Sequence, residues 1–254
     1  MAGHVHLALE GAIARVTMSH PGKLNAMSRA MWIELRAIFE RVHAMGECRA
    51  VVVAGEGGDF CAGGDISEYP HFRFDEKALA HFHENEVWGG LRAMLASDVP
   101  IVARIEGACM GAGLEIASCC DIRIAGQSAK FGAPIAKLGF PMALREAAVV
   151  TRAVGDATAR EILLEAAVLD AAEMKSRGFL QRVVADAEAA AQAEASAQRI
   201  VSLAPQAARL NKQSLRALGV AVSELDASGR YAYADSPEHR EGIAAFLDKR
   251  KPRF

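Results

Sequence analysis

Residues Glu106–Gly126 read EGACMGAGLEIASCCDIRIAG, and the rest of the chain takes its organisation from them. Small residues open the stretch: Gly107, Gly111, Ala112 and Gly113. One carboxylate, Glu115, then stands on an apolar run, and Asp121 and Arg123 follow among apolar neighbours. The pattern predicts strand, Gly-rich turn, short helix, strand. Glycine lets a backbone approach a ligand and take angles other residues avoid. A helix starting near Gly111 presents free N–H groups and the positive end of its dipole. Ala112 and Glu115 are three apart and share a helix face, with side chains leaning toward the N-terminus. The Glu115 carboxylate is therefore expected close to the Ala112 N–H, an anion-stabilising donor beside a general base. Taken alone, the stretch fits a structural turn and a helix-capping Glu at least as well. It is a poor dinucleotide fingerprint, because Gly111-Ala-Gly-Leu-Glu-Ile116 lacks the third small residue that helix–strand packing needs.

Outward from this stretch, the pattern recurs. Ala50–Ala54 and Ile101–Ile105 are short apolar runs of strand length, suited to a sheet buried on both faces. Each leads into a Gly-rich loop, the first reading Gly55-Glu-Gly-Gly-Asp-Phe-Cys-Ala-Gly-Gly-Asp65-Ile66. Two strand–loop–helix units with both loops at one end of a sheet are expected. Val5–Glu10 and Ile13–Ser19 read as strands around Gly11. Ser28 is positioned to cap a helix over Arg29–Met45, and Ala78–Ala96 reads as another. From Arg145 the pattern is helical: Arg145–Val154, Ala157–Leu164, Ala171–Arg177, Asp186–Ala204, Gln206–Leu218, Val220–Ala234 and Pro237–Arg250, with a short strand at Gln181–Val184. A soft boundary falls near residue 200, giving a core over 1–200 and a helical region over 201–254.

The 254 residues are about half apolar and carry a formal net charge of −2. That suffices for a sizeable core and argues against a dominant nucleic-acid role. With no signal-like N-terminus and no long apolar span, a soluble cytoplasmic protein with no membrane partner is expected. The five cysteines are odd in number and sit in apolar surroundings, which predicts buried free thiols. No metal-ligand spacing is present; His81 and His83 are two apart on a predicted helix and diverge. No metal and no nicotinamide are expected.

Taken in order, several motifs resemble the crotonase family, the enoyl-CoA hydratases and isomerases. They are His20-Pro-Gly-Lys-Leu-Asn25-Ala-Met-Ser28, Phe60-Cys-Ala62-Gly-Gly64-Asp65-Ile66, Gly107 through Asp121, Phe131-Gly132, Thr151-Arg-Ala-Val-Gly155 and Arg240-Glu-Gly-Ile-Ala-Ala-Phe246 with Lys249-Arg250. The resemblance implies an α/β fold with a ββα spiral core and a C-terminal helical region, trimers or hexamers, and acyl-CoA thioesters as substrate. Coenzyme A would be part of the substrate, with no separate cofactor. It implies an oxyanion hole from the N–H groups of Gly64 and Ala112 and proton transfer by Glu115. Lys23 (through its backbone), Ala62, Asp65 and Ile66 would lie along the CoA moiety, with Gly111 and Ile135 in the substrate site. At Ile135 the pattern breaks, because hydratases of the family carry a second glutamate there. The following Gly139–Glu146 segment also lacks the usual glycines. Arg145 and Glu146 have no family role and read as a surface ion pair or helix-start charges. Three readings stay open: a hydratase or isomerase using Glu115, another thioester-enolate enzyme such as a decarboxylase or hydrolase, and an acyl-CoA binder.

Overall fold

A computed structural model describes residues 2–218 and 236–254; the helix expected over Val220–Ala234 lies outside them. The chain opens with an antiparallel hairpin of β1 (His4–Glu10) and β2 (Ile13–Ser19). It continues through α1 (Arg29–Ala44), β3 (Ala50–Gly55), α2 (Glu76–His81), α3 (Trp88–Ala96) and β4 (Ile101–Ile105). The opening stretch of the sequence becomes β5 (Ala108–Met110), α4 (Ala112–Ser118) and β6 (Ile122–Gly126). Then come β7 (Lys130–Gly132), α5 (Leu144–Val154), α6 (Asp156–Leu164), β8 (Val168–Asp170), α7 (Ala171–Ser176), β9 (Arg182–Val184), α8 (Ala189–Val201), α9 (Pro205–Ala217) and α10 (Pro237–Leu247).

Two sheets result. The larger runs β1-β2-β3-β4-β6-β9, parallel from β2 onward; the smaller runs β5-β7-β8. The period-2 alternation of strands explains how β3 is buried on both faces. Val51 and Val53 join the cluster containing Trp32, Leu35, Phe39, Leu91 and Met94 of α1 and α3. Ala50 and Val52 join Ala193, Ala197 and Ile200 of α8 on the other face. The apolar strands are thus core on both sides, as the runs suggested. The Ser28 hydroxyl accepts from Met31 N at 3.3 Å and caps α1. All five cysteines are free and buried. Burial pushes the Cys61 and Cys120 thiols up to about 12, which keeps them inert.

The structure departs from the sequence reading in three places. The helix expected over Ala78–Ala96 is continuous, but Phe82–Val87 is wound as a wide π turn between α2 and α3. The small second sheet was not anticipated; its strands have three residues each, too short for periodicity to register. Asp186–Ala204 divides into a 3₁₀ turn, Asp186–Glu188, and the shorter α8. The boundary near 200 falls between α8 and α9. Lys212 ties α9 to the core through Val99 O (2.8 Å) and Asp121 (2.8 Å). Among the described residues, no helix is long and apolar enough to cross a membrane.

Candidate active site

Three loops meet at the C-terminal ends of β2, β3 and β4, and hydrogen bonds stitch them together. Asn25 sits in the left-handed region (φ 59°). Its side chain accepts from His20 N (3.0 Å) and donates to Glu56 O and Asp59 O (2.8 Å each). Ala62 N donates to Leu24 O, and Met27 N to Gly63 O. The loop after β3 then pairs with β5: Cys61 N donates to Ala108 O (2.8 Å) and Met110 N to Cys61 O (2.9 Å). Two glycines make this approach possible. Gly111 starts α4 at φ 48°, ψ −111°, a conformation hostile to a side chain. A Cβ on Gly113 would lie 2.4 Å from the Cys61 carbonyl oxygen.

The loops enclose a cavity of about 220 Å³. Ala62, Gly64, Ile66, Gly111, Ala112, Glu115 and Ile135 line it, so seven of the nine site residues read from the sequence come together. Lys23 and Asp65 do not line it. They pair with each other beside it, Lys23 Nζ to Asp65 Oδ2 at 2.7 Å, and Lys23 also reaches Ser67 Oγ at 2.8 Å. Burial alone would push Asp65 up; hydrogen bonds from Lys23 and Ser67 outweigh it and hold the carboxyl below its ordinary value. Gly64 N and Ala112 N donate to no acceptor among the described residues. The Tyr69 hydroxyl lies against Gly64: it is 2.2 Å from where a Cβ would stand there. Tyr69 is held by a stack, with the Arg73 guanidinium 4.5 Å from its ring and 3.8 Å from that of Phe140. Residues 66–71 form a 3₁₀ helix that carries Tyr69 to the cavity wall.

Glu115 is 6% exposed, and no described residue hydrogen-bonds its carboxyl. Burial, and then the negative charge of Glu146, push it well above its ordinary value. The expected surface role of Glu146 is corrected here. Arg145 does form an exposed ion pair, with Glu84 at 2.8 Å. Glu146 instead is 3% exposed, lines the cavity and lies 2.7 Å from His83 Nδ1. The physical reason is helical geometry: neighbours on α5 point about 100° apart, so Arg145 faces solvent while Glu146 faces α4. Sequence reasoning also missed His83, because the π turn that turns it to the cavity has no sequence signature. Among the described residues, no group of three His, Cys, Asp or Glu side chains could hold a metal ion.

The comparisons agree with this architecture. The family model for enoyl-CoA hydratase/isomerase matches residues 8–254. The short-chain-enoyl-CoA hydratase of Clostridium acetobutylicum is 31% identical over 253 residues, covering 98% of this chain and 96% of the relative. The (E)-benzylidenesuccinyl-CoA hydratase of Thauera aromatica is 30% identical, covering 98% of each chain. The crystal structure of an enoyl-CoA hydratase/carnithine racemase from Magnetospirillum magneticum superposes with a TM-score of 0.94 at 38% identity, covering 98% of this chain and 94% of that one. With the ββα core, the paired loops and a match running almost end to end, the chain belongs to the enoyl-CoA hydratase/isomerase family, the crotonases.

Proposed function

We propose that the protein is an enzyme acting on acyl-CoA thioesters through an enolate, as an enoyl-CoA hydratase or isomerase, with Glu115 as acid/base. The observation that carries the reading is the placement of two acceptor-free N–H groups, Gly64 and Ala112, on the same cavity as an unpaired buried carboxyl. Both donors aim at the thioester oxygen, as an oxyanion hole. Polarising that carbonyl acidifies the α-carbon and makes the β-carbon of an enoyl group electrophilic; one such donor is typically worth ~3 kcal/mol. Glu115, one helical turn from Ala112, then exchanges a proton with the acyl chain. Burial favours its neutral form, which suits it to deliver as well as accept a proton. The CoA moiety runs out past Ala62, Ile66, the backbone around Lys23 and the Lys23–Asp65 pair, with no separate cofactor. Ile135 supplies an apolar wall and no proton.

The test is a panel of enoyl-, β-hydroxyacyl- and malonyl-type CoA thioesters incubated with the protein and read by mass spectrometry. Water addition, or a shifted spectrum at constant mass, is the expected result. Loss of carbon dioxide or of free CoA would move the protein to a different enolate reaction. Tight binding with no product would make it a binder.

Assembly into a trimer or hexamer belongs to the same proposal. Leu144, Leu164 and Leu215 are 86, 76 and 65% exposed, apolar surface that subunit contacts would bury. Light scattering at micromolar concentration is expected to give a trimer or hexamer of the 27.0 kDa chain, and a monomer ends this part of the proposal.

A further inference from the structure

Adding water across an enoyl double bond needs two proton transfers. The C–C π bond breaks, the water oxygen bonds to the β-carbon and gives up a proton, and the α-carbon gains one. Glu115 alone would have to do both, and Ile135 cannot exchange a proton. The cavity nevertheless holds a second ionisable pair. Glu146 stands in the first turn of α5, and His83 on the π turn, with Nδ1 2.7 Å from Glu146 Oε1. Both line the cavity that holds Glu115. Neither Glu146 Oε2 nor His83 Nε2 meets a partner among the described residues. Neither atom is sealed: the one described buried side-chain atom without a hydrogen bond is Arg104 Nε. With Glu146 only 3% exposed, its free oxygen opens to the cavity.

A purely structural tie explains this pair poorly. The start of α5 is already held to the π turn and α3 at the surface, where Arg145 pairs with Glu84 and lies 5.4 Å over the Trp88 ring. Burying an ionisable pair beside another carboxyl costs desolvation that an apolar contact would avoid. The π turn is the local irregularity that brings His83 to the cavity, and such turns concentrate at functional sites. A carboxylate with one oxygen held by an imidazole and the other facing substrate is a positioned acid/base.

We propose that Glu146, held by His83, is the second acid/base of this site: it takes the proton from the attacking water while Glu115 delivers one to the α-carbon. The inference rests on the enoyl-CoA reading above and names the group that completes it from α5, in place of the side chain that Ile135 lacks. Glu146 is the catalytic residue of the pair and His83 the positioning one.

The two proton transfers can be read separately. Hydration of crotonyl-CoA needs both groups; exchange of the α-hydrogens of butyryl-CoA in heavy water needs only Glu115. Glu146→Gln is expected to slow hydration at least about 100-fold while leaving KM, affinity for acetoacetyl-CoA and α-exchange within about threefold of wild type. His83→Asn, whose amide can still donate to Glu146, is expected to keep most hydration, and His83→Ala to lose it with exchange intact. These two variants carry the test if Glu146→Gln does not fold. A folded, ligand-binding Glu146→Gln that hydrates like wild type, or that loses exchange together with hydration, overturns the assignment and leaves the enoyl-CoA reading standing. A His83→Ala variant that hydrates like wild type does the same. Wild type that binds both thioesters but neither hydrates nor exchanges them overturns both.

Discussion

Glu115→Gln is expected to lower turnover on the best acyl-CoA substrate by about 10²–10⁴-fold, the usual worth of a positioned acid/base. Acetoacetyl-CoA affinity should change little, because glutamine keeps the shape and can still hydrogen-bond. The same substitution should raise stability at neutral pH. Burial first, and the charge of Glu146 second, disfavour the ionised form of Glu115 and raise its folded value above the ordinary 4.5. The folded state therefore holds a proton that the unfolded state has released, and stability falls as pH rises through that window. The contribution is complete below about 4.5 and is lost as pH passes the raised folded value, so the wild type carries the penalty of a buried charge that glutamine does not. The paired measurement is turnover and urea midpoint for both proteins from pH 5 to 8. The stability gain should widen as pH rises. A variant with wild-type turnover would remove Glu115 from the chemistry. A gain that shrinks with pH would contradict the raised value.

Those expectations were partly legible before the structure. Glu115, Ala112 and Gly64 could be read as a site because the glycines, the helix register and the family motifs are local in sequence. The main strands were equally plain, since β3 is an uninterrupted buried apolar run and β4 is one interrupted only by Arg104. Lys23 and Asp65 are read from the family motifs as lying along the CoA moiety; in the structure their side chains pair with each other beside the cavity and do not line it. Glu146 and His83 were missed because their meeting is a tertiary event. They lie 63 residues apart, and His83 reaches the cavity from the π turn, a feature that residue spacing reads as ordinary helix. A charge next to Arg145 at a helix start looks like surface; only the packing of α5 against α4 shows that one member of the doublet is buried.

Asn25→Ala is expected to be the most damaging substitution outside the cavity. Asn25 is 4% exposed, and its amide holds three backbone groups that no other residue is seen to satisfy through its side chain: His20 N–H, Glu56 C=O and Asp59 C=O. The His20 N–H is buried and costs about 1–3 kcal/mol if left unpaired, the two part-buried carbonyls cost less each, and the left-handed backbone at φ 59° adds strain that asparagine tolerates better than alanine. A loss of about 3–5 kcal/mol is expected, after allowing for partial relaxation and water entry. The damage should reach ligand binding too. Asp59 orders the start of β5 by accepting from Ala108 N at 2.8 Å, and the same loop carries Ala62 and Gly64. Freeing it loosens the Gly64 N–H relative to the Ala112 N–H, the two donors of the proposed oxyanion hole, so affinity for acetoacetyl-CoA should fall along with the urea midpoint. Asn25→Gly separates the two causes, since glycine accepts the left-handed backbone but supplies no amide. It is expected to remain nearly as unstable as the alanine variant. If the glycine variant regained wild-type stability and affinity, backbone conformation alone would be what Asn25 provides. A loss below about 1 kcal/mol in the alanine variant would show that water replaces the staple at little cost, and that the three loops are held together by their backbone pairing instead.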